Sequence, residues 1–509
     1  MANTPSMSDD PLEGTSLAGF AGDLRAGRRS SEAITRAYLD RIARLDGVLG
    51  SYQHVAAESA LRSARAIDNL LAAGTDLGPL MGVPVAVKDI FSVEGMPTTV
   101  GSQLDLKDLL EAEGPVVRQL RQAGCVILGK TKTVEFAFGP AGTNAVKGTP
   151  KNPWDAAVAR LPGGSSSGSA VAVAAGLCAF ALGSDTGGSI RLPAALCGVF
   201  GLKTTVGRWS TQGVFPLSPT LDSVGILSRS AQDAALIYAT VSGRDVVSPA
   251  AVDSLRLGWF ADYFFADLDP DVEASTMAAI ELLRGLGAIT IERSMANLEN
   301  RARFNGTLVP AELLATLGRS RFEAERERMD PVVAHCLSAG LDLKADEYIA
   351  MLRAHERMKA AAEAEMQDLD GWLAPTCATV ALPVEHAADI AQGAELARRL
   401  TRNTGPMNMF GQCGTSTPVQ SLIAPLPVGL QVTCRPFQEE RALSIALALE
   451  QVVGPPRMPE ISAFTDRRAA AGPTHHRSIA GKLRALPSRS RDAACCLAAV
   501  SRNRVRPGT

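Results

Sequence analysis

Residues 161–193 read LPGGSSSGSAVAVAAGLCAFALGSDTGGSIRLP. Two glycine–serine clusters stand at either end of an alanine-rich apolar middle. Glycine ahead of serine permits a tight turn and lets another molecule approach the hydroxyl. The middle is too short and too glycine-interrupted to span a bilayer. It reads as a buried helix over 168–176 and a buried strand over 178–183, which together set the gap between two hydroxyl clusters. Upstream, Lys88 ends the apolar run GVPVAVKD.

The flanking sequence alternates in the same way. Apolar residues at helical spacing predict helices over 30–46, with Ser30 or Ser31 as cap, and over 56–73, ended by Gly74. A valine-rich strand follows at 82–89, then a helix at 116–123 and a strand at 125–129. Pro- and Gly-rich loops are expected up to about Gly225. Strands at 255–260 and 288–291 flank a helix at 271–286. The charged stretch 311–363 reads as helices on the outside. Further buried strands are expected at 371–375 and 428–433, and a last helix at 441–452. Such alternation argues an α/β architecture.

At 509 residues and 46% hydrophobic content the chain can bury a large core. Its net charge of −2 gives no bias toward nucleic acid or a membrane. Nine cysteines without CxxC spacing fit reduced thiols, and the opening residues lack a signal-peptide pattern, so a cytoplasmic location is expected. The expected division is a flexible segment over 1–14, one domain over 15–463 and a tail over 464–509. Residues 466–509 carry about ten Arg and Lys against two acids and no aromatic residue, the composition of a disordered appendage rather than a base-stacking surface.

Several chemistries compete on these motifs. The Gly187-Gly188-Ser189 turn can aim the N–H groups of Thr186, Gly187, Gly188 and Ser189 at a developing oxyanion, or it is simply a turn. Ser165 to Ser167 form either a flexible loop or part of a site. Lys88 must be neutral to accept a proton, and at a reference pKa near 10.4 only about one in 2,500 is neutral at pH 7. Burial behind the apolar run can lower that pKa. In an extended strand the adjacent Asp89 points the other way. The run from Gly164 to Gly168 also satisfies GxSxG, an esterase elbow with Ser166 as nucleophile and His335, His355 or His386 as base. No phosphate loop, HExxH pair or cofactor motif occurs, and His335-Cys336 alone is a poor metal site.

Taken together, GVPVAVKD, PGGSSSGS and GSDTGGSIRLPAALCGVFGLKTT resemble the amidase signature family in order and spacing. NPWD at Asn152, SPTLDSVG at Ser218, APT at Ala374 and LPVGLQVTCRPF at Leu426 extend the resemblance over residues 15–455. It implies a large mixed central β-sheet covered by helices on both sides. It also implies a Ser-cisSer-Lys triad: Ser189 as nucleophile, Ser165 as proton relay after a cis Gly164–Ser165 bond, and Lys88 as general base. The backbone of Thr186, Gly187 and Gly188 would form the oxyanion hole, and Ser166, Asp185 and Arg191 would brace the loops. No cofactor or metal is implied.

The reaction so implied is hydrolysis of a small amide through an acyl-enzyme, with an aryl or indole-3-acetamide substrate as one candidate. The partners expected are the amide and water, with a homodimer allowed and neither nucleic acid nor membrane. The alternative is the glutaminase component of a tRNA-dependent amidotransferase. That component needs an arginine and an acid for the free ends of glutamine. The 402–420 stretch offers Arg402 and no acid.

Overall fold

The computed structural model describes residues 10–387 and 389–465. The basic tail from 466 onward lies outside the described residues, as do residues 1–9. Eleven strands form one sheet. In chain order they are β1 (Tyr52–Val55), β2 (Pro84–Lys88), β3 (Val126–Thr131), β4 (Phe180–Asp185), β5 (Phe200–Lys203), β6 (Ser223–Ser228), β7 (Arg256–Trp259), β8 (Ile289–Glu292), β9 (Gly371–Pro375), β10 (Cys413–Pro418) and β11 (Gly429–Cys434). Their order across the sheet is β1-β3-β2-β4-β6-β5-β10-β11-β9-β7-β8. The expected mixed α/β sheet is present: β2 runs parallel to β3 and β4, whereas β4 and β5 each pair antiparallel with β6.

Local chemistry explains where the elements begin and end. Ser30 caps the Ser31–Leu49 helix by accepting from the Ala33 N–H at 3.1 Å, and Gly50 closes it in the left-handed region. β2 and β4 are buried on both faces, which is why they read as continuous apolar runs. The Ser167–Ala174 helix between them is buried on every side. Its small residues allow this: a Cβ at Gly168 would collide with the Ser51 carbonyl and the Lys132 N–H.

Asp10 pairs with Arg229 at 2.7 Å and Leu12 is buried. Two expectations are corrected. The region read as loop up to Gly225 contains the Arg191–Cys197 helix, β5 and the start of β6. The stretch expected outside begins as a helix at Arg301 rather than 311. Leu308, Leu313 and Leu317 of the Arg301–Leu317 helix are buried, as is Val333 in the Pro331–Ser338 helix, and both helices wall a cleft. Among the described residues no helix is long and apolar enough to cross a membrane.

Candidate active site

Lys88 is the last residue of β2 and wholly buried. Its Nζ lies 2.8 Å from Ser165 Oγ and 2.9 Å from Ser184 Oγ. Burial lowers its pKa to about 7, against the pull of the Asp185 and Asp222 carboxylates, which favour the charged form. Asp89 does point away, into an ion pair with Lys130 at 3.0 Å.

Ser165 follows a cis peptide bond from Gly164 and is also fully buried. Its carbonyl accepts from Thr133 Oγ1 at 3.0 Å and the Val134 N–H at 3.3 Å. Gly164 is pressed against another segment: a Cβ there would sit 2.6 Å from the Gly139 carbonyl. The two ends of the opening motif do meet, since the Ser166 N–H donates to the Ser189 carbonyl at 3.2 Å. Ser189 is 9% exposed and lines the cleft, whereas Ser165 and Lys88 are fully buried and do not line it.

Asp185 organises the turn that carries Ser189. It pairs with Arg191 at 3.0 Å, and both side chains are buried. It accepts the N–H groups of Gly188 at 2.8 Å and Ile190 at 3.1 Å. Burial alone would raise its pKa, but the Arg191 charge holds the carboxyl well below the usual range. The Gly188 N–H, expected to face an oxyanion, is therefore engaged by a carboxylate. Among the described residues the N–H groups of Thr186, Gly187 and Ser189 have no partner. Arg191 continues to the Thr404 carbonyl (2.9 Å), Gln431 Oε1 (3.1 Å) and Asn408 Oδ1 (2.6 Å).

Among the described residues the esterase arrangement is not present. Ser166 Oγ is buried and donates to the Ser184 carbonyl at 3.3 Å. His355 is packed on Phe304 with ring centroids 4.7 Å apart, and no histidine is among the described residues lining the cleft. Sequence reasoning missed Ser184, Thr404, Asn408 and Gln431. Only Ser184 carried a signal, since it stands two residues before Thr186 in the same motif.

The cleft holds about 1170 Å³ of empty space, counted with its open mouth. Its wall is mostly apolar, with Val134, Phe138, Leu217, Val309, Val332 and Val333. Arg301, Asn305 and Asp330 supply polar groups, whereas Arg402 does not line it. No cluster of metal-ligating side chains occurs among the described residues.

The family model described as Amidase matches residues 33–443. The chain is 37% identical over 445 residues to a 2-amino-5-chloromuconic acid deaminase of Comamonas testosteroni, covering 86% of this chain and 96% of that protein. It is 36% identical over 462 residues to a glutamyl-tRNA(Gln) amidotransferase (A) subunit of Moorella thermoacetica, covering 83% and 93%. A crystallised amidase superposes with a TM-score of 0.79 at 30% identity, covering 86% of this chain and 100% of that one. The peptide amidase of Stenotrophomonas maltophilia gives 0.77 at 29% identity, covering 89% and 99%. With its motifs, its sheet and this breadth of likeness, the chain belongs to the amidase family, hydrolases acting on amide C–N bonds.

Proposed function

We propose that this enzyme hydrolyses a small carboxylic amide through an acyl-enzyme on Ser189, with Ser165 relaying the proton to neutral Lys88. The observation that carries this reading is the buried Lys88 Nζ, 2.8 Å from Ser165 Oγ and with its pKa lowered to about 7. Ser189 Oγ attacks the carbonyl carbon, and its proton passes through Ser165 Oγ to the Lys88 lone pair. The developing oxyanion accepts from the partner-free N–H groups of Gly187 and Ser189, with Thr186 beside them. Gly188 is left out, because its N–H holds the turn to Asp185. As the C–N bond breaks, the relay runs backward and protonates the leaving nitrogen. Water then attacks the ester carbon and gives a proton to the same relay, which returns it to Ser189 Oγ as the C–O bond breaks and the acid leaves.

Ammonia release from a panel of primary amides tests the reading. Ser189→Ala and Lys88→Ala should each cost about 10³-fold or more in kcat/KM while the protein stays folded. Full activity in Lys88→Ala would refute the relay.

The amidotransferase relatives favour a second reading, in which the same relay makes ammonia from glutamine for a partner protein. The cleft offers Arg301 and Asp330 where the sequence pointed to Arg402 and no acid. Glutamine hydrolysis that appears only when the other amidotransferase components are added would favour this reading over the stand-alone enzyme.

A further inference from the structure

The cleft beside Ser189 contains a positive charge that no described residue neutralises. Arg301 opens the Arg301–Leu317 helix, lines the cleft and is only 5% exposed. A guanidinium stays charged at any ordinary pH and carries five N–H donors. Nη1 donates to Thr401 Oγ1 at 2.9 Å and Nη2 to the Arg398 carbonyl at 3.4 Å. Both acceptors are uncharged. Nε is buried without a hydrogen-bond partner, and among the described residues Arg301 forms no ion pair. Arg191 and Arg229, also withdrawn from solvent, instead have Asp185 and Asp10.

Asn305 stands one helical turn further on, so it shares a face with Arg301. It lines the same cleft, and its Nδ2 has no hydrogen-bond partner among the described residues. A glycine makes room for the pair. A Cβ at Gly405 would lie 2.5 Å from Arg301 Cδ and 3.0 Å from Asn305 Nδ2. A Cβ at Gly187 would lie 3.8 Å from the same Nδ2, so the Asn305 amide lies beside the turn that carries Ser189. Asp330 also lines the cleft. Its oxygens, however, accept the N–H groups of Ala145 (2.8 Å), Val332 (2.9 Å) and Val333 (3.3 Å) rather than a cation.

Burying an unpaired cation is costly, and the cost is recovered when an anion binds it in a water-poor site. We propose that Arg301 binds a carboxylate of the substrate, with Asn305 Nδ2 as a second donor, so that the enzyme takes monoamides of small dicarboxylic acids. The proposal rests on Ser189 being the acylated residue. The mostly apolar wall of the same cleft suits the connecting hydrocarbon chain, and a guanidinium matches a carboxylate in geometry as well as charge.

The test compares succinamic, glutaramic and adipamic acids with butanamide, pentanamide and hexanamide by ammonia release. The wild type should prefer the acid amides. Arg301→Gln should lower the acid-to-neutral ratio of kcat/KM by about 100-fold, mainly through KM, and Arg301→Lys should restore part of it. A wild type that prefers neutral amides, or a ratio that Arg301→Gln does not move, overturns the proposal and leaves the Ser189 mechanism standing. A binding readout separates the two ideas: calorimetric titration of Ser189→Ala with glutarate. Binding that disappears on adding Arg301→Gln, alongside a wild type that hydrolyses neither amide class, would uphold the carboxylate site and sink the hydrolytic mechanism. If Arg301→Gln does not fold, inhibition of the wild type decides. Glutarate inhibiting no better than pentanoate overturns the proposal.

Discussion

Lys88 is held between two opposed effects. Burial disfavours its charged form, while Asp185 and Asp222 favour it, and the balance lies at about 7. A general base works when neutral, so kcat/KM should fall about tenfold per pH unit below that value and level off above it. Asp222→Asn removes one carboxylate that stabilises the ammonium. The rising limb of the pH–rate profile should then move to lower pH, and an unmoved limb would show that Lys88 does not sense Asp222. Lys88→Arg should fail to rescue activity at any pH, because a guanidinium does not give up its proton in this range. The need for a lowered pKa is legible in the sequence, from the valine run that precedes Lys88. Ser184 Oγ, the second hydroxyl on Nζ, is not legible in that way, because it arrives from a neighbouring strand rather than from local spacing.

The nucleophile turn and the helix after it act as one element. Asp185 receives N–H groups from the turn and the Arg191 fork, so the charge pair fixes the backbone that presents Ser189. Removing one member strands the other in a buried site. Asp185→Asn or Arg191→Met should therefore cost about 3–5 kcal/mol in urea denaturation. The double variant Asp185→Asn/Arg191→Met should cost clearly less than the sum of the two, and strict additivity would show that the pair does not act together. Gly188→Ala is a separate test of the turn: φ there is 128°, and a Cβ would collide with Thr404 Oγ1. Its activity should fall well beyond any fall in stability, measured by comparing kcat/KM with the denaturation midpoint. Which elements are legible depends on hydrophobic pattern. β2, β4, β9 and β11 stand out as apolar runs. β10 does not: Cys413–Pro418 reads CGTSTP, yet every residue of it is buried. A Cβ at Gly414 would collide with the Val432 carbonyl, so close approach of strands, rather than apolar content, selects that sequence. The Arg191–Cys197 helix is likewise masked by Pro193, which a helix tolerates in its first turn.

At the scale of the whole molecule, the sheet divides where the chain does. β1 to β6 occupy one side of it and β7 to β11 the other. They meet at a single antiparallel seam, where Gly201, Leu202 and Lys203 of β5 face Ser416, Thr415 and Gly414 of β10. Three pairs make a short join for a sheet of eleven strands, so side chains that cross it matter. Arg191 crosses it beside the nucleophile, from Asp185 on the first side to Thr404, Asn408 and Gln431 on the second. Lys203 crosses too, with Nζ donating to the Gln412 carbonyl at 2.8 Å. The cleft needs both sides, since Ser189 comes from one and Arg301, Asn305 and Thr401 from the other. Loosening the seam should thus be felt on its far side. In Arg191→Met, hydrogen exchange under native conditions should speed up over residues 404–418 as well as 186–191, because local opening follows cooperative units rather than sequence distance. Faster exchange confined to 186–191 would make Arg191 a brace for its own turn alone, and the coupling of the two sides would have to come from the β5–β10 ladder.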